Sequence, residues 1–168
     1  MKQMEDIYSR YASTVYKYLL SLTRDPDAAE ELTQETFCRA IRTVERFDGS
    51  SKVSTWLCAI AKRAHLEYVR KRGPLRGAED IDALENALIS ESAEQTALKN
   101  EERIALLKKL HGLDEPFREV IYLRMTGDLS FREIGAILGK TENWARVTYY
   151  RGKEKLRKEL DRDEQDTM

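Results

Sequence analysis

On a helix expected to begin after Thr141, Arg146, Tyr150, Arg151, Lys153 and Arg157 fall on one face, opposite an apolar stripe of Ala145, Tyr149, Gly152 and Leu156. Such a basic, aromatic face makes and breaks no covalent bonds. Its chemistry is charge, stacking and directed hydrogen bonding, the set that recognises nucleic acid. Glu154 is the lone acid from Asn143 through Arg157, whereas a merely solvated helical face usually mixes signs. A helical hairpin with a solvated basic face is the plainer account.

The elements that must position this face are legible upstream. Ser130 and Glu133 have the S-x-x-E spacing of a capping box, so a helix starts there, with Ile134, Ile137 and Leu138 on one side. Gly139 supplies the left-handed residue that ends it, and Thr141 caps the next helix. Two helices joined by a short glycine turn read as a helix-turn-helix whose second helix enters a DNA major groove.

Other chemistry is hard to place. Cys38 and Cys58 are too few and too separated for a zinc site or a disulfide framework, and both read as buried thiols among apolar neighbours. His65 and His111 have no partners at ligand or triad spacing, and there is no phosphate-cradling glycine loop or metal-ligand cluster. The expectation is a protein that is not an enzyme and uses no cofactor, no metal and no small-molecule substrate. No run is long enough to span a membrane and the start MKQMEDIYSR lacks an apolar core, so a cytoplasmic protein is expected.

The 168 residues are 41 % hydrophobic and 35 % charged, which suits helical units with several small cores. Net charge is only −1, but it alternates in blocks. Asp25 to Glu35 is acidic, Arg39 to Arg76 basic, Glu79 to Glu94 acidic and Lys140 to Lys158 basic. Several partner surfaces follow from that pattern rather than one. Nowhere do Val, Ile and Thr cluster with period two, so the fold class is all-α.

Helices are expected over about Glu5 to Leu22, from Pro26 with Asp25 as cap, and from near Ser54 to Gly73-Pro74. On the third, Trp56 shares helical spacing with Ile60 and reads as core. Residues 75–91 lose the pattern and read as a flexible acidic linker. Helical spacing returns from Ser92 to His111, and Asp114 is placed as cap of a helix from Glu115 to Met125. The expected domains are therefore 1–74 and 92–168, with their relative orientation unfixed in the free chain.

With these motifs in order, the whole chain resembles an extracytoplasmic-function sigma factor, the smallest class of the sigma-70 family of bacterial RNA polymerase specificity subunits. DAAEELTQETFCRAI, from Asp27 to Ile41, resembles the segment that binds the clamp helices of the polymerase largest subunit. FDGSSKVSTWLCAIA, from Phe47 to Ala61, resembles the family's promoter-melting and minus-ten segment, with its S-T-W-L. The helix-turn-helix resembles the minus-thirty-five reader.

The resemblance implies a sigma region 2 at 1–74, a sigma region 4 at 92–168, and a factor that brings core RNA polymerase to promoter DNA under the control of an anti-sigma factor, often membrane-anchored. It places polymerase contacts at Glu31, Leu32, Gln34, Glu35 and Phe37. Minus-ten and melting contacts fall on Phe47, Asp48, Ser51, Lys52, Lys62 and Arg63, with Arg63 standing where many relatives carry an asparagine. The minus-thirty-five set is Asn143, Arg146, Val147, Tyr150, Arg151 and Lys153. Two other readings stay open: a conventional DNA-binding regulator that works without polymerase, and an adaptor or decoy that binds polymerase or an anti-sigma factor without reading promoters.

Overall fold

The structure, a computed structural model, describes residues 2–72, 105–106 and 108–166, in which every regular element is helical. Helix α1 (Lys2–Thr23), α2 (Pro26–Thr43), a single 3-10 turn (Val44–Arg46) and α3 (Val53–Arg72) make the first half. After helical residues 108–111 come α4 (Phe117–Met125), α5 (Phe131–Leu138) and α6 (Glu142–Asp166). The expected acidic linker 75–91 and most of the helix placed over Ser92 to His111 lie outside the described residues.

Local chemistry explains the boundaries. The Asp25 carboxylate accepts from the N–H groups of Asp27 at 3.0 Å and Ala28 at 3.4 Å, and Pro26 occupies the first helical position. Such a cap stabilises a helix by about 1 kcal/mol. The three helices close over Val15, Tyr18 and Leu19 of α1, Leu32 of α2 and Leu57 of α3, with Ala29, Ala40 and Ala61 keeping the backbones close.

In the second half α4 is the central helix, buried continuously from Arg118 to Leu123. It begins two residues later than expected, and Pro116 rather than Asp114 stands at its cap with no side-chain hydrogen bond. Asp114 contributes its backbone carbonyl, which accepts from the Arg118 N–H at 3.2 Å, while the carboxylate that accepts from the first turn is that of Glu115, from the Glu119 N–H at 3.2 Å. The helix-turn-helix follows the sequence closely. Ser130 and Glu133 form the reciprocal capping box, Gly139 is left-handed at φ 68°, and Thr141 Oγ1 accepts from the Trp144 N–H at 3.0 Å.

The two helical domains pack on each other. Buried apolar residues form one cluster running from Val15 to Leu156, with α1 packed on α4 and α3 on α5. Partners across this seam lie far apart in the chain, Tyr18 and Glu119 by 101 residues, so no local periodicity announces them.

The turn between α5 and α6 is tight enough to test. A Cβ on Gly135 would meet the backbone oxygens of Lys140 and Thr141 at 2.8 Å. Gly135→Ala would gain up to about 1 kcal/mol in helix propensity. Overpacking against immovable backbone costs about 1–3 kcal/mol and wins. Urea denaturation should show a lower midpoint for Gly135→Ala; a raised midpoint would contradict the close approach.

Candidate nucleic-acid interface

The second helix of the helix-turn-helix presents the expected reading set. Asn143, Arg146, Val147, Tyr150, Arg151 and Lys153 are all exposed, whereas Ala145, Thr148, Gly152 and Leu156 are buried against the helices beneath. Trp144 and Tyr149 are half-buried and pack on the core, as their bulk suggests. Arg146 is the best-positioned cation. It pairs with Glu142 at 3.2 Å and lies 5.5 Å over the Phe131 ring. Both partners are on the surface, and an exposed pair is worth at most about 1 kcal/mol, so a guanine edge competes with it easily. Phe131, with Tyr149 and Tyr150 against it and Arg124 4.4 Å above its ring, is the support that the sequence did not single out.

A second surface lies where α2, the loop after it and α3 meet. Here Phe47 stacks on Trp56, centroids 4.7 Å apart and planes 24° from parallel. The pair borders a groove of roughly 650 Å³ shared with Asp48, Ser51, Arg42, Arg46 and Arg63. Trp56 packs against the core with one side and borders the groove with the other. It is half-buried, because the position that helical spacing assigned inward sits at the edge where the loop folds back. Hydrogen bonding from Ser50 holds the Asp48 carboxyl below its ordinary value, so an acceptor stands in the groove at neutral pH. Arg42 and Arg46 were missed. Their signal was a basic run, with Arg39, at helical spacing on the end of α2.

Two members of the expected minus-ten set point elsewhere. Lys62 Nζ donates to Glu119 Oε1 at 2.8 Å, and Tyr18 Oη donates to the same oxygen at 2.7 Å. Lys52 Nζ donates to the Asp128 carbonyl at 3.0 Å and stands 3.6 Å from the Glu133 carboxylate, which also accepts from Thr55 Oγ1. Partial burial alone would raise the Glu133 carboxyl, but hydrogen bonds from Thr55 and Ser130 and the charge of Lys52 outweigh it and leave the group below its ordinary value. Both lysines belong to the seam between the halves, not to the groove. Nearby His65 is kept neutral more readily than usual by burial and by Lys62.

The acidic face of α2 is present but smaller than the expected set. Glu31 and Gln34 are exposed, and Glu35 is tied to Arg39 at 2.9 Å, which reaches on to Glu67 at 2.5 Å. Leu32 and Phe37 are largely buried, each in the lining of a surface groove. Leu32 faces the three-helix core, and Phe37 lies beneath the Tyr8 ring at 4.9 Å. Beside the acidic face runs an apolar groove bordered by Met4, Tyr8 and Ile41. Tyr8 is 51 % and Ile41 57 % exposed, a pair that sequence reasoning did not single out as surface. Cys38 is also exposed, on the outer side of α2, whereas Cys58 is buried.

Comparison with known proteins is consistent along the chain. Residues 7–74 match the Sigma-70 region 2 family and residues 103–156 the Sigma-70, region 4 family. The ECF RNA polymerase sigma factor SigM of Bacillus subtilis (strain 168) is 30 % identical over 154 residues, covering 92 % of this chain and 93 % of its own. The RNA polymerase sigma factor CarQ of Myxococcus xanthus is 33 % identical over 159 residues, covering 93 % and 88 %. Among solved structures, the fold is shared with the sigma factor RpoE in complex with the anti-sigma factor NepR from Bartonella quintana, at a TM-score of 0.72, 21 % identity, and 96 % and 98 % coverage. It is shared also with CnrH in complex with the cytosolic domain of CnrY, at 0.65, 21 %, 96 % and 90 %.

The cysteines give a direct check on the exposed and buried faces of the first half. Burial pushes the Cys58 thiol up to about 12, which leaves almost no thiolate to react at neutral pH. Iodoacetamide followed by mass spectrometry should add one group to the native protein, at Cys38, and two after denaturation. Modification of Cys58 in the native protein at a rate near that of Cys38 would contradict this packing.

Proposed function

The chain belongs to the extracytoplasmic-function class of the sigma-70 family, and we propose that it directs core RNA polymerase to promoters through three separate surfaces. The exposed acidic residues Glu31, Gln34 and Glu35, with the adjoining apolar groove at Tyr8 and Ile41, dock on polymerase. Charge selects a basic partner there and the apolar strip supplies burial. The groove beside Phe47 and Trp56 takes an unstacked base of the melted minus-ten strand, with Arg42, Arg46 and Arg63 on the flanking phosphates. Arg146, Tyr150 and their neighbours read the minus-thirty-five element in the major groove.

The observation that carries this reading is the presence of two DNA-adapted surfaces of different kinds on one chain. One is an aromatic groove rimmed by arginines, suited to a single strand, and the other a basic helical face, suited to a duplex. A conventional regulator has use for the second alone. An adaptor has use for neither. An anti-sigma protein is the remaining partner in this reading, since cover over the acidic face would block polymerase. Among the described residues no helix is long and apolar enough to cross a membrane. The chain itself is a transcription factor that works in the cytoplasm without catalysis of its own.

Transcription in vitro with core polymerase tests the reading and separates the two DNA surfaces. Arg146→Ala should cost about 1–3 kcal/mol and relax preference at one upstream promoter position. A base-by-base promoter scan identical to that of the parent protein would remove Arg146 from readout. Phe47→Ala should lose about 1–3 kcal/mol of base stacking on a duplex promoter, and the defect should shrink on a template melted in advance. An equal defect on both templates would place the role of Phe47 outside strand capture. No promoter-specific transcript with any core polymerase would overturn the proposal.

A further inference from the structure

The outer face of α6 is basic but not uniformly polar. Val147, 37 % exposed, and Tyr150, 58 % exposed, leave large apolar side chains in water three residues apart on that face. Asn143 and Arg146 adjoin them at three- and four-residue spacing, so the apolar pair is bordered by an amide and a guanidinium in the first turns of the helix. Those first turns are the part of a recognition helix that meets base edges. We infer that Val147 and Tyr150 receive the C5-methyl groups of thymines next to the base pair that Arg146 reads. This rests on the duplex-reading role given to the face under the proposed function.

A face that only held phosphates would gain nothing from two apolar side chains. Among the groups that base pairs present in the major groove, the thymine methyl is the apolar one, whereas the others donate or accept hydrogen bonds that Val147 cannot answer. Spacing fits the same partner. An α-helix rises about 1.5 Å per residue, so Val147 to Tyr150 spans about 4.5 Å and Arg146 to Tyr150 about 6 Å. Base steps of about 3.4 Å then place the methyls within two pairs of the one that Arg146 reads. Both side chains are held before DNA arrives. Val147 is β-branched and keeps one strongly preferred rotamer in a helix. The Tyr150 ring lies edge-on to Tyr149, centroids 5.3 Å apart and planes at 73°, and 6.1 Å from Phe131, the ring that Arg146 also approaches. Little side-chain freedom is lost on contact, so a single methyl suffices to discriminate.

The test is binding of the full chain with core polymerase to a promoter identified by transcription, at fixed salt. Each thymine of the upstream element, on either strand, is replaced in turn by deoxyuridine, which removes the methyl and nothing else. At one or two thymines near the position that Arg146→Ala relaxes, replacement should weaken binding about fourfold, the effect of leaving one methyl-sized group unburied. Val147→Ala and Tyr150→Ala should each abolish that penalty at one position, while Tyr150→Phe, which keeps the ring, should retain it. If an alanine variant loses helical content by circular dichroism, the response of the parent protein to deoxyuridine decides. No penalty at any upstream thymine overturns the inference, as does an upstream element without thymine or a penalty that survives both alanine variants. In each of those cases a promoter scan that Arg146→Ala still relaxes leaves the duplex-reading role standing, and an unchanged scan removes that role instead.

Discussion

Glu119 is a charged group placed where charge is expensive, inside a helix hidden from Arg118 to Leu123, and the rest of the arrangement answers to it. An isolated carboxylate in such surroundings would cost several kcal/mol or give up its charge. It is tolerated because Tyr18 and Lys62 come from two different helices of the other half to meet it. That requirement fixes α4 against α1 and α3, and with it the position of the helix-turn-helix over the face that bears Lys52 and Thr55. The polar contact lies within the apolar cluster that joins the halves and adds direction to it.

The same economy recurs at Glu133. One carboxylate closes the capping box of α5 and also takes Thr55 and Lys52 from the opposite half. The helix-turn-helix is thus braced internally by its cap, its left-handed glycine and the close approach at Gly135, and externally through the residue that starts it. Rigid presentation of Arg146 and Tyr150 follows from the first set of contacts. The orientation of that face relative to the aromatic groove follows from the second.

Local features were legible in the sequence because their causes are local. The Asp25 cap, the Ser130–Glu133 box, Gly139 and Thr141 each act within four residues, and the apolar stripe through Ala145, Gly152 and Leu156 needs only helical period. The exposure of Asn143, Arg146, Val147, Tyr150, Arg151 and Lys153 therefore followed from the helical period. What the sequence did not reveal depended on contacts made from far away. Trp56 has a core-like spacing but sits at an edge where Phe47 folds back onto it. Leu32 and Phe37 lie within a partner-binding segment by resemblance, yet their apolar side chains are buried under α1 and α3. Cys38 had apolar neighbours in sequence and water in space. Lys52 and Lys62 read as strand contacts, and nothing within twenty residues of either announces Glu119, Glu133 or Asp128.

In the free chain the two halves are packed on each other across the contact of Tyr18 and Lys62 with Glu119. The most direct test of that packing is an interdomain distance. Dyes on exposed positions, introduced as Arg70→Cys and Lys140→Cys in a Cys38→Ser background, report the separation of α3 from the turn before α6. Energy transfer should be high and narrowly distributed in the free protein. A low, broad signal in the free protein would contradict the account.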